Sequence, residues 1–403
     1  MKVAILGYGV EGKSVERYFF ERGGEITIFD EGRGDDLGGV NFGEYDLVFR
    51  SPAVRPDRVA TDKMTSVTRY FFDKCAAKII GVTGTKGKGT TCSLIAGILR
   101  EAGKRVWLVG NIGVPALDVL DKVEVGDVVV YELSSFQLWD LENSPKVAVV
   151  TMIEADHLDV HKDVDEYLGA KANIVLRQDV GDVVIFDETS EGASKIAGMS
   201  VGVKMGYPSG KYEDLLDSLV IPGAHNRKNG EAAILACGCV GVSDDGEIRR
   251  GFAGFDGLPH RLKLVREWRG VKFYDDSIST TPGSAVAAIR AFDAPKILIL
   301  GGSRKGASFA GLVAEVARAN VKKVFLIGVS ADEIGGLLVA EGYEDAVNLG
   351  MDLTMVDVVK NTTEVAEAGD VVILSPACAS FDMFESYADR GEKFIDAVKS
   401  LEE

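Results

Sequence analysis

A glycine-rich stretch at residues 81–91 has the composition and setting of a phosphate-binding loop. It reads GVTGTKGKGTT, follows an apolar run and precedes a helical pattern. A strand that passes through glycines into a helix brings backbone N–H groups and the positive helix end around a phosphate, where Lys88 adds a charge. Because Gly89 occupies the usual Ser or Thr position, we expect the Thr90 hydroxyl to reach Mg²⁺, although a glycine-rich turn with a solvated lysine is the alternative. The predicted nucleotide-binding residues here are Gly84, Thr85, Lys86, Gly87, Lys88, Gly89, Thr90 and Thr91.

A second glycine pattern, GYGVEG at residues 7–12, lies near the start of the chain. An apolar run precedes it, and a helical stretch and a second apolar run lead from it to Asp30. This order is typical of a dinucleotide fingerprint, with Asp30 placed to bind a ribose. The phosphate loop follows so soon after Asp30 that the segment before it can form only one half of a dinucleotide-binding fold. The pattern therefore favours another nucleotide-containing ligand. A nicotinamide cofactor and a packing role for the glycines are the alternatives.

Acids and histidines follow two of the apolar runs. Residues 128–131 lead directly to Glu132, which should stand at the carboxyl end of a strand, where it is a candidate Mg²⁺ ligand or only a cap. The run at 147–153 precedes His157 and His161, with acids around both. That density of metal-capable groups favours a metal site over a solvated acidic turn.

Two helical patterns carry further polar candidates. Lys171 lies in the pattern at 164–176, and from the residues alone it is an ordinary helix lysine. Asn226 and Asn229 begin another helix three positions apart, which suits an adenine or ribose edge, although capping is the alternative. We interpret Arg55 and Arg58 of an earlier loop as solvated charges, to which no role is assigned.

In the last third of the chain, three polar loops each follow an apolar run. They span residues 275–282, 301–306 and 375–380. In a parallel sheet they should line one edge, where Ser, Thr and Lys donors suit a substrate carboxylate. Ordinary turn and cap residues are the alternative.

Composition restricts the class of protein. With 403 residues the chain is too long for one ordinary core. Its net charge of −17 argues against a nucleic-acid partner, because affinity for phosphate backbones depends on cations. The five cysteines lack CxxC spacing, so reduced thiols are expected. We find no apolar run of membrane length and no signal sequence, and therefore expect a cytoplasmic protein without membrane insertion.

Taken together, motifs spread along the whole chain resemble those of the Mur ligase family. Besides the two glycine patterns they are Gly110–Gly113, Glu132–Leu138, Asp156–Asp159, His225–Asn226, Pro259–Arg261, Asp275–Ser277 and Ser375–Asp382. The resemblance implies an α/β protein that forms an amide bond between UDP-N-acetylmuramoyl-L-alanine and D-glutamate through an acyl phosphate, using ATP and Mg²⁺, and most simply as a monomer. The competing hypotheses are another Mur ligase or a folylpolyglutamate-type ligase with a different amino acid, a nicotinamide oxidoreductase and a nucleotide-binding switch.

The resemblance also implies three domains. They are a Rossmann-like domain for the uridine nucleotide at 1–74, a central P-loop ATPase-type domain with a parallel sheet at 75–257, and a Rossmann-like, doubly wound domain for the amino acid at 258–403.

Roles for single residues are likewise carried over from the family. Lys88 and Thr90 would hold the ATP phosphates and Mg²⁺. Glu132 would complete one metal site and His157 a second, and Lys171 matches a lysine carbamylated by CO₂. Further residues expected to contact ATP are Asn226, Asn229, Arg261 and Asp276.

The two other substrates would have pockets of their own. The residues matched to the UDP-sugar substrate are Val10, Glu11, Asp30, Glu31, Asn111, Ser134 and Gln137. Those matched to D-glutamate are Thr280, Lys305, Ser380, Phe381 and Tyr387. Ile278 departs from relatives that have Lys at this position, so its side chain brings no charge to the site. His157 is a candidate base for the incoming amine.

Overall fold

The computed structural model describes residues 1–37, 40–304 and 306–402. The chain forms two compact units, one of Met1–Leu219 with Arg227–Phe255 and the other of Val220–Asn226 with Asp256–Glu403. In the described ranges the strands form three sheets, and every helix is too short or too polar to cross a lipid bilayer. The α/β prediction is therefore confirmed, while the boundaries proposed for three domains stay a prediction.

The first sheet of unit 1 is parallel, in the order β2-β1-β3-β4. Its strands are β1 (Lys2–Leu6), β2 (Glu25–Phe29), β3 (Leu47–Arg50) and β4 (Met64–Ser66), and its helices are α1 (Val10–Phe20) and α2 (Val67–Lys74). Parallel pairing brings the carboxyl ends of β1, β2 and β3 to one edge, so the glycine turn after β1 opens there.

The second sheet is also parallel, in the order β10-β9-β8-β5-β7-β6. Its strands are β5 (Lys78–Thr83), β6 (Val106–Gly110), β7 (Val128–Glu132), β8 (Val147–Val150), β9 (Val183–Asp187) and β10 (Val203–Tyr207). The helices are α3 (Lys88–Glu101), α4 (Ser135–Leu138), α5 (Val164–Ala172), α6 (Glu191–Gly198), α7 (Glu213–Leu216), α8 (Ala224–Gly238) and α9 (Asp245–Ala253).

One hydrophobic core joins these two sheets. Phe19, Phe49 and Phe71 from the first part of the chain pack in the same cluster as Tyr131 and Leu133. Burial of such aromatic side chains is a large favourable term in folding, so the two sheets stabilise each other.

Unit 2 contains the third sheet, in the order β11-β12-β16-β13-β14-β15, with only β11 antiparallel among the described strands. The strands are β11 (Lys263–Trp268), β12 (Val271–Asp275), β13 (Lys296–Gly301), β14 (Val321–Ile327), β15 (Ala346–Gly350) and β16 (Val371–Leu374). The helices are α10 (Pro282–Ile289), α11 (Ala310–Arg318), α12 (Ala331–Ala340), α13 (Met355–Val365) and α14 (Tyr387–Lys399). Leu298 and Leu300 pack in one core and Ile297 and Ile299 in another, because alternate side chains of a strand point to opposite faces.

Candidate active site

The predicted phosphate loop lies between β5 and α3, as the sequence indicated. Gly84 and Gly87 have φ values of +152° and +91°, where a side chain is strained. A Cβ atom at Gly84 would also clash with the Thr151 hydroxyl, and one at Gly87 would clash with the Asn229 amide. The backbone path of the loop therefore requires glycine at both positions.

Neighbouring elements hold this loop in place. The Lys88 ammonium donates to the carbonyls of Gly84 and Thr85 at 3.0 and 3.1 Å. The Thr85 backbone N–H donates to the Met152 carbonyl at 2.8 Å, and its hydroxyl lies 2.7 Å from the Tyr167 hydroxyl. Such contacts hold the loop in shape before any phosphate arrives.

The other predicted loop residues differ in exposure. Lys86 pairs with Glu154 at 2.9 Å, with both side chains about half exposed. Gly89, Thr90 and Thr91 are buried in the first turn of α3. Thr91 brings a second hydroxyl to this turn, and that hydroxyl has no hydrogen-bond partner among the described residues.

Glu132 lies next to this loop because β7 pairs with β5. Val82 is the direct partner of Glu132 in that pairing, which confirms that the two strands are neighbours. The carboxylate is buried and accepts a hydrogen bond of 3.4 Å from the Asn111 amide.

Lys171 is not an ordinary helix lysine. It is buried, and its ammonium donates to the Gly84 carbonyl at 2.8 Å and to the Thr83 hydroxyl at 3.5 Å, over the Tyr167 ring. Burial, and then the positive charge of Lys88, holds the pKa of Lys171 well below its usual range. Its amine is therefore placed at the phosphate loop in an environment that favours the neutral form.

The two candidate histidines lie in different surroundings. His157 is about half exposed, and its ring contacts that of Phe136 at 5.0 Å. His161 is buried, stacks on Phe136, contacts the tilted ring of Trp139, and lies 3.0 Å from the Ser135 hydroxyl. Burial lowers the pKa of His161, so this imidazole favours the neutral form.

A cleft of about 690 Å³ in unit 1 connects the two glycine loops. Lys88 and His157 line it together with the glycine turn after β1. The residues matched to the UDP-sugar substrate that also line it are Val10, Glu11, Asp30, Glu31, Asn111, Ser134 and Gln137. The structure thus brings all seven of them to one cavity.

Two acids of the cleft have distinct partners. One oxygen of Glu11 accepts a hydrogen bond of 2.7 Å from Gln137, and the other has no partner among the described residues. Burial raises the pKa of Glu11 to about 7. Asp30 instead accepts backbone N–H groups of Tyr8 and Gly32 at 2.7 and 2.9 Å, which fixes the turn after β1.

The interpretation of Arg55 as a solvated charge is wrong. Its guanidinium binds Glu166, more than a hundred positions away, whereas Arg58 is exposed and pairs with Glu31. No local pattern in the sequence indicates the Arg55 contact, because its partner is distant along the chain.

In unit 2 the three polar loops meet at one edge of the sheet, which confirms that expectation. The Ala377 backbone N–H donates to the Ser279 carbonyl at 2.9 Å, and that of Gly301 donates to the Pro376 carbonyl at 2.8 Å. The three loops share this edge because β12, β16 and β13 are adjacent.

Asp276 is buried at this edge. It accepts hydrogen bonds from the Leu262 backbone N–H at 3.1 Å and the Ser375 hydroxyl at 2.7 Å. Burial raises its pKa to about 7, and the charge of Arg261 partly opposes that rise. Asp276 therefore ties the segment containing Arg261 to the edge of the sheet.

Four of the five residues matched to D-glutamate lie in the described ranges. Ser380 is buried, Phe381 is exposed and Tyr387 begins α14. Thr280 lies half-buried in the first of the three loops. Lys305 lies outside the described residues.

The two asparagines fall in different units. Asn226, in unit 2, donates to the Pro222 carbonyl at 2.6 Å, while Asn229, in unit 1, lies against Gly87 of the phosphate loop. A contact of either residue with ATP stays a prediction.

Two residues to which the sequence assigned no role support the loops of unit 2. His260 binds the buried Asp275 at 2.7 Å. The fully buried Arg390 donates to the Ser277 hydroxyl at 2.9 Å and to the Cys378 carbonyl at 3.1 Å. They escaped notice because their partners are brought close only by the fold.

Within the described ranges, no three His, Cys, Asp or Glu side chains come together as a metal site. The candidate donors near the phosphate loop are the Glu132 carboxylate, the Thr90 hydroxyl and, if converted to a carbamate, Lys171. Oxygen donors of this kind suit Mg²⁺.

Comparison with known proteins identifies the family of this chain. Residues 82–207 match the Mur ligase middle domain, and residues 260–378 match the Mur ligase glutamate ligase domain. The UDP-N-acetylmuramoylalanine–D-glutamate ligase of Acetivibrio thermocellus is 36% identical over 100% of this chain and 97% of its own. This chain belongs to the Mur ligase family.

Two further proteins are similar to this Mur ligase. The enzyme of the same name from Clostridium botulinum is 34% identical over 99% of this chain and 97% of its own. The crystal structure of UDP-N-acetylmuramate-alanine ligase MurC from Thermotoga maritima has a TM-score of 0.63 at 18% identity and covers 99% of both chains. The latter likeness supports the fold.

Proposed function

We propose that this Mur ligase joins D-glutamate to UDP-N-acetylmuramoyl-L-alanine at the expense of ATP, as a step of peptidoglycan precursor synthesis in the cytoplasm. The observation that carries the proposal is the cleft in which the phosphate loop and the glycine turn after β1 meet. A nucleotide-linked substrate and the ATP phosphates would occupy neighbouring positions there, which supports the proposal. Relatives that carry the name of this activity match the full length of the chain.

The chemistry follows from the substrates. A carboxylate is a poor electrophile, so the γ-phosphoryl group of ATP is first transferred to the carboxylate of the L-alanyl residue. Lys88, at the positive end of α3, stabilises the charge on the phosphoryl oxygens. The D-glutamate amine then attacks the acyl phosphate, loses a proton to a base for which His157 is the candidate, and phosphate leaves as the amide forms.

Mg²⁺, when bound, neutralises phosphate charge, and Thr90, Glu132, His157 and Lys171 would hold it at two sites. The burial of Lys171 supports carbamylation, since a neutral amine reacts with CO₂ to give an anionic carbamate. The modification would thus replace an ammonium group, which repels the metal, with an anionic group that can bind it.

Unit 2 would bind D-glutamate, the incoming amino acid. Thr280, Ser380, Phe381, Tyr387 and Lys305 are assigned to D-glutamate. Asn226 and Asn229, at the start of α8, are assigned to ATP together with Arg261 and Asp276. Several substrates must be aligned, so we expect the enzyme to close during catalysis.

The test is phosphate release from ATP in the presence of UDP-N-acetylmuramoyl-L-alanine. D-glutamate should stimulate release, whereas L-lysine, meso-diaminopimelate and L-alanine should not. Stimulation by one of those three instead, or by folate with glutamate, would reject the proposed substrate pair. Oxidation of NADH by the protein would support the oxidoreductase alternative.

A further inference from the structure

Arg55 follows the cleft-lining residues 51–54, and its guanidinium is saturated with hydrogen bonds. Nε and Nη2 donate to the Asp57 carboxylate, both at 3.0 Å. Nη1 and Nη2 donate to the two oxygens of Glu166 at 3.1 and 2.8 Å, and Nη1 also donates to the Val160 carbonyl at 2.8 Å. A guanidinium has five N–H donors in a rigid fork, so these contacts use all of them.

The two distant partners belong to one short segment. Val160 lies in the loop after His157, and Glu166 lies in the first turn of α5, the helix that carries Lys171. Glu166 also lies 3.5 Å from His161. Arg55 therefore holds the chain at two points between His157 and Lys171, both of which are assigned to Mg²⁺.

The ion pair is partly shielded from solvent. The Arg55 and Glu166 side chains are each 21% exposed, and the guanidinium lies 4.7 Å from the Trp139 ring centre. Hydrogen bonds from Arg55 are the main cause that lowers the pKa of Glu166 to about 2, so the pair stays charged in the physiological range. A lysine at position 55 would lack both the planar fork and the stacking surface.

We propose that Arg55 is a positioning residue that clamps the segment 157–171 to the wall of the nucleotide cleft. Through Val160 and Glu166 it keeps His157 and Lys171 in register with the phosphate loop. The proposal rests on the proposed function, because it concerns the residues assigned there to Mg²⁺. Partners that orient metal ligands in this way commonly set metal affinity.

The test measures Mn²⁺ affinity by electron paramagnetic resonance for the unchanged protein, Arg55→Ala and Arg55→Lys. We expect Arg55→Ala to weaken Mn²⁺ binding on the order of 10-fold to 100-fold, and Arg55→Lys to recover little of the loss. The carbon-13 signal of a Lys171 carbamate, formed from labelled bicarbonate, should fall in parallel. The control is Arg69→Ala, which removes the ion pair between Arg69 of α2 and Glu142, whose side chain is 60% exposed; neither residue lines the cleft.

Arg69→Ala should leave Mn²⁺ affinity within about twofold, because exposed ion pairs contribute little. Equal effects of Arg55→Ala and Arg69→Ala, or no effect of either, would overturn the proposal. Should Arg55→Ala not fold, Arg55→Lys and Glu166→Gln must show the same weakening. Neither Mn²⁺ affinity nor the carbamate signal depends on an amino-acid substrate. The proposed function is therefore tested separately, and it would be rejected if D-glutamate did not stimulate phosphate release by the unchanged protein.

Discussion

Single residues differ in how much of their role can be predicted from sequence. Lys88 could be assigned from its spacing alone, because the phosphate loop is a local pattern. Lys171 could not, since its surroundings come from β5 and the loop that follows it, more than eighty positions earlier. Family resemblance singled it out, and its burial gives a physical reason for that match.

We expect Lys171→Ala to abolish ligase activity, because it removes the anion that a carbamate would supply beside the phosphate loop. Acetate at high concentration should restore part of the rate, since the missing element is a charge, whereas methylammonium should not. Phosphate-release assays of the folded variant measure both effects. Full activity, or rescue by the amine alone, would contradict the carbamate assignment.

The raised pKa of Glu11 predicts that the stability of the protein depends on pH. Its pKa rises from 4.5 to about 7 on folding, so between those values the folded protein keeps a proton that the unfolded chain has lost. The free energy of unfolding therefore falls as pH rises through this window, by roughly 1–3 kcal/mol from this group. Urea titrations at pH 5 and pH 8 should show that the free energy of unfolding falls less in Glu11→Gln than in the unchanged protein. An equal fall in both proteins would mean that Glu11 titrates normally.

At the scale of elements, long apolar runs were predicted well, whereas four edge strands were missed. The apolar run at 147–153 forms a strand only as far as Val150. Beyond it, the Thr151 hydroxyl donates to the Lys86 carbonyl, and the Met152 carbonyl accepts from the Thr85 backbone N–H. β4, β10, β11 and β15 were not predicted. All four are edge strands, and exposed positions interrupt the apolar pattern in β10, β11 and β15.

Gly87→Ala tests the geometry of the loop element. The positive φ and the nearby Asn229 amide leave no room for a methyl group, so the turn into α3 must shift. We expect ATP affinity to fall at least about tenfold, because the backbone N–H groups would no longer converge on the phosphates. Binding of a fluorescent ATP analogue measures this. As a control, Gly103→Ala changes a glycine that also has positive φ but lies beyond α3, away from the loop, and should keep normal affinity.

At the scale of the whole chain, sequence indicated three successive α/β segments but not how the first two are joined. Arg50, at the end of β3, is fully buried and pairs with Asp140, which lies 90 positions later. It also donates to the Val54 and Phe136 carbonyls at 3.2 and 3.0 Å. Nothing near Arg50 in sequence distinguishes it from a surface arginine, since the pairing depends on the packing of the two sheets.

The last prediction concerns this buried pair. Arg50→Ala should lower the free energy of unfolding by about 3–5 kcal/mol, because the Asp140 carboxylate, whose side chain is only 16% exposed, loses its partner. Urea unfolding measures the loss, and Arg69→Ala, at an exposed pair, should stay within about 1 kcal/mol of the unchanged protein. Arg50→Met combined with Asp140→Leu should recover part of the stability, since no unpaired charge remains. If Arg50→Ala alone is as stable as Arg69→Ala, the pair does not hold the two sheets together.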